Sequence, residues 1–185
     1  MSKKQTLTLL CGIPGSGKST WLKKNAKSAV IVSPDTIRKD ILGHQFHHNA
    51  EQFVWWLSES MVKILLAQGK SVIIDATNLF PFLRMKWGNI ADEYKVDKEI
   101  VWMDTDVKEC WRRNVLRKKK DRVPREAFDR MAKAFIYPDG GTRIAGGSIR
   151  SKAEATSEEG FKVRRIKGEA PDPRKADAHG DQSKV

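Results

Sequence analysis

Cysteine is scarce: the 185-residue chain has two, Cys11 and Cys110. That excludes a disulfide framework and a four-cysteine zinc site. No stretch approaches the ~20 consecutive apolar residues that cross a bilayer, so no membrane association through a span is expected. Met1-Ser2-Lys3-Lys4-Gln5 runs straight into a short β-like segment without a signal-peptide core, and a cytoplasmic location is expected. Internal repeats are absent. Histidine is sparse too, and the crowded His44, His47 and His48 match no zinc spacing, which predicts an exposed helix-loop edge. Acidic charge is the scarcer sign, with 23 Asp plus Glu against 35 Lys plus Arg and a net charge of +12. Such a balance favours an anionic partner, whether nucleic acid, nucleotide or membrane surface. Hydrophobic residues at 39% are enough for a packed core.

Short apolar runs alternate with longer helical patterns, which predicts βαβ units and a parallel sheet. Strands are expected at Thr6–Leu10, Ala29–Val32, Val72–Ile74 and Glu99–Met103, with a short last one within Gly160–Ile166. Helices are expected from Lys18, over Ala50–Gln68 with Gly69 as its stop, from Pro81 to about Tyr94, after an Asp106 cap, and from Pro124. Residues 138–160 are rich in Gly and Ser and read as a flexible loop. From Gly168 onward the chain is polar and punctuated by proline, which predicts a disordered tail. Trp55, Trp56 and Phe53 read as core aromatics of an amphipathic helix, and Cys11 as a small buried residue.

Gly12-Ile13-Pro14-Gly15-Ser16-Gly17-Lys18-Ser19 fits the P-loop pattern at every fixed position, after an apolar strand and before a helix. Glycines let backbone N–H groups turn inward around phosphate oxygens, and the helix N-terminus adds partial positive charge. Gly12, Pro14, Gly15, Ser16, Gly17, Lys18, Ser19 and Thr20 are therefore the expected ATP-binding set. Lys18 is expected to reach the β and γ phosphates, and Ser19 to offer its hydroxyl to Mg²⁺.

A P-loop fixes nucleotide binding but not the reaction. Asp35 follows the second strand, at the sheet edge where ligands gather in open parallel sheets, and Arg38 lies on the same helical face. A carboxylate for an acceptor hydroxyl beside a guanidinium for a phosphate suits a kinase; a capped helix with a surface arginine is the plainer alternative. Asp75 ends an apolar strand, where a Walker-B-like acid stands, and Thr77 and Asn78 follow it. From Arg112 to Arg125 eight Arg or Lys stand against Asp121 alone. This run falls where P-loop kinases carry a lid over the phosphates, with Arg117 the first candidate and Arg113 and Arg122 behind it; a solvated basic face is the alternative.

Together these pieces resemble the polynucleotide 5′-kinase family of the phage polynucleotide kinase/phosphatase type, over about residues 5–137. The matching segments are Leu10 through Trp21, Asp35-x-x-Arg38, Asp75-Ala76-Thr77-Asn78-Leu79, and Arg113-Asn114-x-x-Arg117 with Val123-Pro124. The resemblance implies an α/β fold, a five-stranded parallel P-loop sheet that moves the γ-phosphate of ATP to a hydroxyl on DNA or RNA. It implies that Asp35 is the general base on a 5′-hydroxyl, that Arg38 holds the acceptor's phosphate, that Asp75 supports that site, and that Arg117 reaches the donor phosphates. Residues 1–167 would form the kinase domain, with a lid at about 112–125. The chain departs from the family pattern in having Pro34 before Asp35 and one extra residue between Arg117 and Val123. Asp139-Gly140-Gly141-Thr142 lacks the start of the family's phosphatase motif, and no 3′-phosphatase is expected. Kinases of a modified base, of a small molecule or of an aminoacyl-tRNA would use the same donor machinery.

Overall fold

A computed structural model describes residues 4–26, 28–43, 47–138, 142–143, 149–150 and 160–168. Its centre is a five-stranded parallel sheet. The strands are β1 (Thr6–Cys11), β2 (Val30–Val32), β3 (Val72–Ile74), β4 (Asp97–Asp104) and β7 (Lys162–Lys167), in the order β2-β3-β1-β4-β7. A separate antiparallel pair joins β5 (Thr142–Arg143) to β6 (Ile149–Arg150). Most of the segment read as a flexible loop, and all of 169–185, lie outside the described residues.

Strand β1 is central because it is apolar towards both faces, as a strand covered on two sides must be. Leu7, Leu9 and Cys11 face one core with Val72, Ile74, Ile100 and Trp102. Leu10 faces the other with Ile73, Val101 and Met103. The period of two in side-chain direction thus divides each buried strand between two layers. The first layer is the thicker one, filled by α3 (Glu51–Ala67), α4 (Pro81–Glu93), α5 (Val107–Val115) and α6 (Arg125–Ala134) through Val62, Leu66, Trp87, Cys110 and Phe128. The second is covered by α1 (Lys18–Asn25), whose Leu22 is buried while Trp21 and Ala26 pack at its border.

The observed strands follow the apolar runs, with one instructive difference. Strand β4 starts at Asp97, two residues before the expected start at Glu99, because Asp97 and Lys98 pair in register with Thr6 and Leu7 of β1. Ladder hydrogen bonds extend a strand into polar residues when its neighbour continues. Helix α5 starts as expected, with the Asp106 carboxylate accepting from the N–H groups of Lys108 and Glu109. Two of the three α3 aromatics depart from expectation: Trp55 packs against the core, but Trp56 is 61% and Phe53 44% exposed. Trp56 lies one residue, or 100°, further round the helix from a side chain already at the edge of the buried stripe. No helix among the described residues is long and apolar enough to cross a membrane, and no cluster of His, Cys, Asp and Glu among them could hold a metal ion.

Candidate active site

At the C-terminal ends of β1, β2 and β3 the chain encloses a cleft of about 620 Å³. Its lining brings together Pro14, Gly15, Ser16, Gly17, Lys18, Ser19 and Thr20 from the P-loop, Asp35 from beyond β2, Asp75 and Thr77 from beyond β3, and Arg113 and Arg117 from α5 and its exit. These came from four separated segments of sequence. The βαβ winding delivers them to one edge.

Two glycines explain the loop's shape. Gly15 has φ +84°, and a Cβ there would stand 2.2 Å from the backbone oxygen of Cys110. Gly12 has φ +152°, and a Cβ there would meet Ser16 Oγ at 2.6 Å and Met103 Cβ at 3.2 Å. The loop therefore lies directly on α5 and on the end of β4, with no room for a side chain. Thr105 Oγ1 donates to the Ser16 carbonyl at 2.9 Å and fixes the loop from a third side. The Ser16 hydroxyl is buried and has no hydrogen-bond partner among the described residues. A buried unmet hydroxyl in the P-loop suits the oxygens of a phosphate chain.

Lys18 Nζ donates to the carbonyls of Gly12 (2.7 Å) and Ile13 (3.1 Å). Burial pushes its pKa down, opposed chiefly by the nearby Asp75 carboxylate. Burial pushes the Asp75 carboxyl up, and Lys18 opposes this in turn. The two charges are thus partly desolvated and lean on each other across the cleft, a state that bound phosphate oxygens or a cation would relieve.

The exit of β3 is bolted to the P-loop. Gly12 N donates to the Thr77 carbonyl at 3.0 Å. Asn78 takes φ +45°, a conformation asparagine tolerates better than most residues. Its Nδ2 donates to the Leu10 carbonyl at 2.7 Å, and its own carbonyl accepts from Arg84 Nη1 at 2.8 Å. Asn78 is buried and does not line the cleft; its side chain binds β1. Arg84 has no solvent exposure and also donates to the Ile136 carbonyl at 3.1 Å. Sequence reasoning missed it, although its i, i+3, i+7 spacing with Trp87 and Ala91 puts it in the apolar stripe of α4.

Arg38 was expected beside Asp35, and it is there: Nη1 donates to Asp35 Oδ1 at 2.5 Å. It does not line the cleft and is only 8% exposed. Its other edge donates to Glu51, Nε to Oε1 at 2.7 Å and Nη2 to Oε2 at 2.6 Å. Glu51, the first residue of α3, carried no sequence signal beyond that of an acid in a first helical turn. The Asp35 side chain is 89% exposed and reaches the cleft.

In the basic segment, Glu109 accepts from Arg113 Nε at 2.7 Å and from both ends of the Arg112 fork at 2.7 and 2.9 Å. These arginines, Arg112 foremost, hold the Glu109 carboxyl at about 2, well below the usual range. Asn114 is buried and closes the segment, with Nδ2 donating to the Val123 carbonyl at 2.8 Å and Oδ1 accepting from Val123 N–H at 3.1 Å. Arg122 Nε donates to the Arg117 carbonyl at 2.7 Å. The segment is thus a tied loop with a short 3₁₀ turn at Lys119–Asp121. The cleft's remaining wall includes Lys24 of α1 and Ile166 through Gly168, which the sequence did not single out, and Trp21 and Val123, which stood in the matching segments without a site role. Gly168 had been read as tail, yet its N–H donates to the Asp104 carbonyl at 3.0 Å.

The AAA domain family AAA_33 matches residues 7–138, which contain the P-loop, Asp35, Asp75 and the basic segment. The chain belongs to that family. A curated relative, the L-seryl-tRNA(Sec) kinase of Methanococcus maripaludis, is 28% identical over 146 residues, covering 75% of this chain and 55% of the relative. A chain of the Pnkp1/Rnl/Hen1 RNA repair complex superposes with a TM-score of 0.63 at 26% identity, covering 72% of this chain and 45% of that one. A gluconokinase from Sinorhizobium meliloti 1021 superposes over 91% of this chain and 86% of its own at TM-score 0.56; its 15% identity speaks to the fold alone. The chain therefore spans about half the length of the tRNA kinase and of the RNA repair chain.

Proposed function

We propose that this AAA-family chain moves the γ-phosphate of ATP to a hydroxyl carried by a nucleic acid, above all the 5′-hydroxyl of a DNA or RNA end. The observation that carries the reading is that the Asp35 carboxylate opens into the cleft that also holds Lys18 and Arg117. Asp35 accepts the proton of the acceptor hydroxyl as its oxygen bonds to the γ-phosphorus and the bond to the ADP oxygen breaks. Lys18 and Arg117 offset the charge on the transferring group and on the leaving oxygens, and Arg113 supports the donor side as part of the lid. Ser19, exposed at the cleft, and Asp75 in its wall would hold Mg²⁺. When bound, that ion neutralises phosphate charge. The desolvated Asp75 carboxylate makes this donor set fit a hard cation. Thr77 helps to shape the acceptor side.

A nucleic-acid acceptor is supported by the charge of +12, by Lys24 in the cleft wall, and by the likeness to the RNA repair chain. The tRNA kinase relative supports a second reading, in which the hydroxyl is that of an amino acid carried on tRNA. Incubation with γ-labelled ATP and a panel of acceptors tests both. The panel contains 5′-hydroxyl DNA and RNA, duplex and tailed ends, DNA with hydroxymethylated bases, seryl-tRNA and gluconate. Label on the 5′-hydroxyl ends alone is the expected result; label on seryl-tRNA alone selects the second reading, and label on gluconate alone overturns both.

A further inference from the structure

Asp35 and Arg38 would form an ordinary ion pair if they stood alone. A guanidinium offers carboxylates its flat Nε–Nη2 edge in a bidentate fork, the strongest geometry available to it. Here that edge is given to Glu51, through both oxygens at 2.7 and 2.6 Å, and Asp35 receives a single end-on bond to Oδ1. Glu51 comes from a different element, 13 residues further on, and its side chain is 20% exposed against 89% for Asp35. The chain between Asp35 and Arg38 is a three-residue α-turn running into a π-turn at Ile37–Ile41, too short to hold an arginine in place by itself.

We infer that Glu51 is a positioning residue for phosphoryl transfer: by occupying the fork of Arg38 it leaves Asp35 one carboxylate oxygen to receive the acceptor's proton. The inference rests on the proposed role of Asp35. It also changes the role that family resemblance gives Arg38, from holding the acceptor's phosphate to orienting the base. Without Glu51 the freed fork would take both oxygens of Asp35, and an uncompensated positive charge would face a carboxylate that must accept a proton. Lys18 and Asp75 interact electrostatically with Asp35, and Lys24 and Arg117 line the same cleft. The cations outnumber Asp75, so the negative charge of Glu51 counts.

The test compares the intact chain with Glu51→Gln, Glu51→Ala and Asp35→Asn, using labelled ATP and a 5′-hydroxyl oligonucleotide. Glu51→Gln is nearly isosteric and keeps one acceptor for Arg38, so it reports even if Glu51→Ala fails to fold; thermal melting and ATP binding check its integrity. Misplacing a reacting group by about 1 Å costs about 10²-fold, so kcat of Glu51→Gln should fall by about that factor, with the KM values for ATP and acceptor unchanged. The acid limb of its kcat/KM profile should move to lower pH, because a positive charge has been uncovered beside the base. An unchanged kcat and profile in folded Glu51→Gln overturns the inference. So does a raised acceptor KM at constant kcat, which would return Arg38 to the acceptor's phosphate. Transfer at the normal rate by Asp35→Asn would remove the proposed base and this inference with it, whereas an inactive Asp35→Asn beside a normal Glu51→Gln removes the inference alone.

Discussion

The two halves of the cleft are built by different means. The donor half is backbone: a loop held between α5, the end of β4 and the exit of β3 by contacts that leave no space for a Cβ at Gly12 or Gly15. The proposed acceptor half is side chain: Asp35 stands in solvent, ion-paired with an arginine that is itself held by a glutamate from another helix. A nucleotide's phosphate chain is the same in every turnover, and a rigid cradle suits it. An acceptor must enter and leave, and its half is open.

Arg117 gives the largest expected effect on that comparison. An arginine in contact with a transferring phosphoryl group is worth at least ~10³-fold in rate, so Arg117→Ala should lower kcat by about that factor, while its neighbour Lys118, absent from the cleft wall, should tolerate alanine. Steady-state transfer measures both, and equal losses would reduce the basic segment to a general electrostatic surface. Next comes Gly15→Ala, which attacks the donor half alone. Its φ of +84° and the 2.2 Å approach to Cys110 should cost ~1–3 kcal/mol of stability and weaken ATP binding, with no direct effect on acceptor affinity. Calorimetric titration of ATP and thermal melting read these separately.

The smallest effect lies at the base of the basic segment. The Glu109 carboxyl is held at about 2 rather than 4.5, so the stability it contributes is present above pH 4.5 and is lost as the pH falls towards 2. Glu109→Gln should lower Tm by at most about 2–4 °C at neutral pH. The difference from the parent chain should disappear at the acid end. A Tm difference independent of pH would mean that packing, and not the carboxylate's charge, holds Arg113.

The P-loop's place in the cleft was legible in the sequence because its parts are contiguous: eight residues carry the bend, and an apolar strand before them announces the place. Asp75 was legible for a similar reason, as the first polar residue after a buried strand. The parallel sheet followed from the alternation of short apolar runs with helical stretches, whereas its strand order, β2-β3-β1-β4-β7, was not legible. Glu51 and Arg84 were not legible. The first acts through a partner 13 residues away, and the second depends on helix phase and on carbonyls at Asn78 and Ile136 that only the folded chain brings near. Asn78 was read as a cleft residue because it follows Asp75 so closely, but a left-handed turn carries its side chain to β1. In the basic run the count of charges was visible, while the Asn114 clamp on Val123 that gives the run its shape was not.

The most direct test of the account is single-turnover transfer from γ-labelled ATP to a 5′-hydroxyl oligonucleotide by the parent chain and by Asp35→Asn, with ATP affinity measured in parallel. A general base contributes ~10²–10⁴-fold, so transfer by Asp35→Asn should fall by at least about a hundredfold with ATP affinity retained. Transfer at the parent rate by a folded Asp35→Asn that still binds ATP would contradict the assignment of the acceptor half.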